Sequence, residues 1–70
     1  MQSVRLLILY GSHAAKDAAR IILENQPNVR RIDILKKPHG SLRLIMNPQI
    51  DEISLIPLLA SSGISGFRLL

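Results

Sequence analysis

Cysteine is absent from this chain of 70 residues, which excludes disulfides and thiolate metal ligands. Aromatic residues are almost missing too, with only Tyr10 and Phe67 present. No stretch approaches the roughly 18–20 continuous apolar residues of a membrane helix. The N-terminal apolar run, Val4 to Tyr10, is broken by Arg5 and lacks a cleavage-site pattern after it. The chain is therefore expected to be soluble, without direct membrane insertion, and the lack of cysteine suits a cytoplasmic setting. What is abundant is Leu, Ile and Ala: apolar residues make up 47%, as in a folded domain rather than a disordered one. A net charge of +4 permits an anionic partner without requiring one. Residues 1–70 are read as one small domain, marginal unless well packed or sharing surface with a partner.

Apolar runs separated by Gly and Pro give the order of elements. Ser3 to Tyr10 is short, apolar and stopped by Gly11, as a buried strand is. Ser12 is an N-cap for a helix from His13 to about Asn25, with Ala14, Ala15, Ala18, Ile22 and Leu23 roughly on one face. Pro27 and Asn28 end it. Val29 to Leu35 alternates, with Ile32 and Ile34 against Arg31 and Asp33. Lys36 to Gly40 is a turn, and Ser41 to Asn47 alternates again, so the two strands form a hairpin. Proline is tolerated in a first helical turn, so Pro57 favours a short helix from Leu55 to about Ser61, capped by Ser54 and closed by Gly63. Ile64 to Leu70 is the last strand. The order β-α-β-β-α-β defines an α+β, ferredoxin-like fold. Its four-stranded antiparallel sheet carries both helices on one face.

Several turn positions give the chain a likeness. Gly11 follows the first strand, Asn28-Val29 opens the second, and Gly40 precedes the third. Asn47-Pro48 follows the third, and Ser62-Gly63 precedes the fourth. In these features, over nearly its whole length, the chain resembles the heavy-metal-associated (HMA) domain of small copper chaperones and metal-pumping ATPases. That family carries a GMxCxxC loop between the first strand and first helix. The equivalent stretch here is Gly11-Ser12-His13-Ala14-Ala15-Lys16-Asp17, where Ser12 takes the methionine position and Ala14 and Asp17 the cysteine positions. Cu(I) prefers paired thiolates, which Ala and Asp do not replace. The resemblance thus implies the fold, and an accessory place in metal transport beside a possible metal transporter. It does not imply copper transfer through cysteines, and no cofactor is expected.

Three places in this topology are candidate sites. At one end, His13 and Asp17 lie four apart on the first helical turn and His39 lies in the neighbouring turn, a set that suits a borderline divalent ion. At the same end Ser12, Lys16, Lys36 and Lys37 would favour an anion near the free N–H groups of the helix. The third is the open sheet face. If Val4, Leu6, Ile8, Ile32, Ile34, Leu42, Leu44, Met46, Phe67 and Leu69 point to the helices, the alternates point away. Those alternates are Arg5, Leu7, Leu9, Arg31, Asp33, Leu35, Arg43, Ile45, Arg68 and Leu70. Aliphatics interleaved with arginines mark an interface, with a protein partner or in a homodimer.

RNA-binding sheets of similar topology stack bases on aromatics, and this outward set has none, so nucleic acid is disfavoured. No His–carboxylate–Ser spacing or enclosed acid pair points to catalysis. Asp51 and Glu52 instead suit the positive end of the second helix. The expected function is protein binding without catalysis. The alternatives are metal binding through His and Asp, and a regulatory ligand-binding module of the ACT kind, which shares the topology.

Overall fold

The structure, a computed structural model, describes residues 2–70. Its elements are β1 (Ser3–Tyr10), α1 (His13–Glu24), β2 (Val29–Ile34), β3 (Ser41–Met46), α2 (Glu52–Leu59) and β4 (Gly66–Leu69), with a 3-10 turn at Ala60–Ser62 between the last two. The four strands form one antiparallel sheet in the order β2-β3-β1-β4. The fold is ferredoxin-like α+β, as the order of elements predicts. No helix among the described residues is long and apolar enough to cross a membrane.

Each helix begins on a side-chain cap. The Ser12 hydroxyl accepts from the N–H of Ala15 at 3.1 Å, which occupies one of the unpaired donors of the first turn of α1. Asp51, not Ser54, caps α2: its carboxylate accepts from the Ser54 N–H at 2.8 Å. Hydrogen bonds from the Ser54 hydroxyl and then its N–H hold Asp51 below its ordinary pKa. The helix therefore starts three residues earlier than Pro57 alone suggests, and Pro57 lies inside it. The proline leaves the carbonyl of Ile53 without its helical donor, but Ile53 is on the exposed side, where solvent can serve it.

The core lies between the sheet and the helices. Leu7, Leu9, Ala19, Leu23, Leu42, Leu44, Met46, Ile50, Leu55 and Leu59 form one buried cluster, against which Val29, Ile32, Phe67 and Leu69 pack. On α1 the buried positions are Ala15, Ala19 and Leu23, a step of four residues; Ala14 is exposed instead.

The structure corrects the face of β1. Leu7 and Leu9 are 0% and 1% exposed, whereas Val4 and Leu6 are 60% and 40% exposed. In the antiparallel register Leu7 lies opposite Leu42, and Leu9 opposite Phe67. Ser3, Arg5, Leu7 and Leu9 thus turn to the helices, and Val4, Leu6, Ile8 and Tyr10 turn away. Strand β1 is eight residues long and overruns the helical layer. Only its positions 7 and 9 need be fully apolar, and Arg5 lies near the sheet's end, where its Nε donates to the carbonyl of Leu70 at 2.6 Å. Ile34 shares the face of Leu42 but stays exposed.

Candidate functional site

The open face can be read row by row from the register. Arg31, Ile45 and Val4 form one row, and Asp33, Arg43, Leu6 and Leu70 the next. Leu35, Ser41, Ile8 and Arg68 form a third, and Tyr10 lies opposite Gly66 beyond it. Leu35 joins the third row because its N–H donates to the Ser41 carbonyl at 2.9 Å just past the end of β2. The face therefore contains Arg31, Leu35, Arg43, Ile45, Arg68 and Leu70, where the alternation of β2, β3 and β4 puts them.

Arg5, Leu7 and Leu9 do not belong to it. Burial of Leu7 and Leu9 in the core removes them, and Arg5 shares their side of the strand. Val4, Leu6, Ile8 and Tyr10 take their place, which makes the face more apolar than the sequence suggests and gives it one aromatic ring. The signal for this was weak, since both alternations of β1 are apolar.

The electrostatics of the face are lopsided. Asp33 accepts from the Arg31 Nε at 2.8 Å and lies 3.5 Å from Arg43 Nη1. Exposed pairs of this kind contribute about 0–1 kcal/mol, so they order the arginines more than they stabilise the sheet. Arg68 makes no ion pair among the described residues. Three arginines against one aspartate leave the face net positive around an apolar centre of Val4, Leu6, Ile8 and Ile45.

At the loop end, His13 and His39 come together as expected. Their rings stack, with centroids 3.9 Å apart and planes inclined by 19°. Asp17 does not join them: no group of three or more His, Cys, Asp or Glu able to hold a metal ion exists among the described residues. Stacked imidazoles direct their ring lone pairs along near-parallel planes, so the pair itself does not converge on one ion at the 2.0–2.1 Å typical of zinc–nitrogen bonds. Of the anion candidates, the Ser12 oxygen is committed to Ala15 N–H, and Lys16 Nζ donates to the His39 carbonyl at 3.1 Å. Lys36 and Lys37 remain exposed.

Removing the Ser12 hydroxyl isolates its structural role. Ser12→Ala is expected to cost about 1 kcal/mol of stability by denaturant unfolding. A loss near zero would mean that the α1 terminus is satisfied without it.

No protein-family model, curated protein or solved structure matches this chain.

Proposed function

We propose that the chain is a non-catalytic protein-binding domain whose open sheet face docks an acidic partner protein. The observation that supports this most is the sheet face itself. Val4, Leu6, Tyr10 and Leu70 are each at least 40% exposed there, around the half-buried Ile8 and Ile45. Contiguous apolar surface of this kind marks interaction sites, and a free-standing sheet face is otherwise mostly polar. The partner's chemistry follows from charge. Arg31, Arg43 and Arg68 outnumber Asp33, so a second copy of the chain would bring arginines against arginines. A different surface, apolar at its centre and rimmed by carboxylates, suits the face better. The resemblance to HMA domains adds a setting: an accessory domain of metal transport that contacts a transporter without carrying metal through cysteines.

The test compares Leu6→Glu with Ile21→Glu, which places the same charge on the exposed side of α1. Light scattering should show a monomer in every case. Affinity purification should recover a partner with wild type and Ile21→Glu but not with Leu6→Glu, and elution should become easier as salt rises. Identical recovery by all three proteins, or a wild-type dimer that Leu6→Glu dissociates, would overturn the proposal.

A further inference from the structure

The sheet has two free edges, β2 and β4. Unpaired edges invite further strands, and β2 is guarded against this. Its register shifts between Val29 and Arg31, and it carries Arg30, Arg31 and Asp33. β4 is less guarded. Its pairing with β1 runs without a shift, and Arg68 is its single charge. Shortness is its main protection.

The backbone of β4 faces a vacant margin, and Phe67 borders a groove beside it. The Leu70 N–H donates to the Leu6 carbonyl at 2.8 Å, so antiparallel alternation turns the N–H and C=O groups of Phe67 and Leu69 outward. The side chains of the same two residues lie on the helix side. Beside them runs a groove of about 220 Å³ lined by Ile56, Leu59, Ala60, Ile64, Gly66 and Phe67. No lining side chain is polar. Its far wall is α2, whose Ile53 and Ile56 are 78% and 58% exposed. Helices with apolar residues on all sides are normally covered all round, and α2 is covered on one side only.

We propose that the β4 edge takes up an extended segment of another polypeptide as a fifth strand. An apolar side chain of that segment enters the α2 groove, and an acidic one lies beside Arg68. Each part of the description comes from a different observation. Outward N–H and C=O groups select an extended backbone. The groove selects an aliphatic side chain next to Phe67. Arg68, on the opposite face and without an ion pair, selects a carboxylate at the neighbouring position. Strand residues alternate between faces, so the segment alternates apolar and acidic residues. A second copy does not fit, because β4 and the groove carry no acid to meet Arg68. Two outward residues form few ladder bonds, so binding depends on the groove and on Arg68 as well. This site adjoins the open-face contact proposed above and shares Arg68 with it, so the groove residues and Val4, not Arg68, tell the two apart.

The probe is a synthetic peptide, acetyl-Ser-Val-Glu-Val-Glu-Val-Ser-amide, titrated into the nitrogen-15-labelled full chain. Amide shifts are expected at Gly66 to Leu69 and at Ile56, with exchange of the Phe67 and Leu69 amides slowed at saturation. Ile56→Lys and Ala60→Glu, both at exposed positions, should each weaken binding by roughly tenfold or more, because either places a charge in an apolar groove. Arg68→Glu should weaken it too, while Val4→Glu on the open face leaves it unchanged. A peptide with proline at the central valine should not bind. No binding at millimolar peptide, shifts confined to β2 or the open face, or unprotected Phe67 and Leu69 amides at saturation would each overturn the proposal. So would tighter binding by Ile56→Lys with weaker binding by Ala60→Glu, since charge alone would then explain the affinity.

Discussion

Leu7→Glu should abolish folding, whereas Leu6→Glu, one residue away, should leave the domain folded. Leu7 is fully buried in the central cluster, opposite Leu42 and Leu69. Truncation to Ala there would cost about 2–5 kcal/mol from lost contacts and the cavity left behind. A chain of 70 residues has roughly 4–10 kcal/mol of total stability at the usual 0.05–0.15 kcal/mol per residue, so the truncation alone is serious. A carboxylate adds a buried charge with no partner, and the sum exceeds what the fold can supply. At Leu6 the same substitution faces solvent and lies directly opposite Arg43, where opposite charges across a strand pair are favourable. Far-UV circular dichroism and amide dispersion decide the matter. Two folded variants, or the reverse pattern, would mean that β1 is slipped by one residue and that the open face is wrongly composed.

The order of elements and the faces of three strands were legible because polar residues mark their outer sides. Arg31 and Asp33 do so in β2, Arg43 in β3 and Arg68 in β4. In β1 the only charged residue is Arg5, and it misleads. It lies on the helix-facing side but near the sheet's end, where the guanidinium escapes to the Leu70 carbonyl. A charge marks the outer face only where no such exit exists. The apolar, arginine-bearing character of the open face was nevertheless readable, since either alternation of β1 leaves aliphatics beside Arg31, Arg43 and Arg68. Its membership was not.

Pro57 masks the start of α2 in the sequence. A proline inside a helix costs about 3 kcal/mol where the lost bond is buried, but Ile53, whose carbonyl loses its donor, is solvent-facing. With that cost relieved, the Asp51 cap sets the boundary. The extra turn carries the exposed Ile53. The meeting of His13 and His39 follows from the topology, which brings the β1–α1 and β2–β3 loops to one end. Ring stacking depends on side-chain rotamers, which no spacing in the sequence encodes.

The shared loop end depends on Gly40. Gly40→Ala is expected to destabilise the domain by about 1–3 kcal/mol, the cost of a strained backbone held by its surroundings. Gly40 has φ +92°, and a Cβ there would sit 2.8 Å from the Leu9 carbonyl oxygen and 2.8 Å from Lys16 Cδ. The lysine can swing aside; the Leu9 backbone cannot, because its own N–H donates to the Gly40 carbonyl at 2.9 Å. Gly63→Ala should cost less: its φ is +88°, but the nearest contact is 3.8 Å away at Ala15. Gly66→Ala should be close to neutral, with no left-handed φ and nothing within 4 Å. Denaturant midpoints give the ranking. The His13 and His39 ring resonances give a local readout, since moving Gly40 moves His39 off its neighbour and off the Lys16 ammonium. Equal losses at Gly40 and Gly66 would show that the β2–β3 turn does not pack on Leu9, and the loop end would lose the geometry assigned to it.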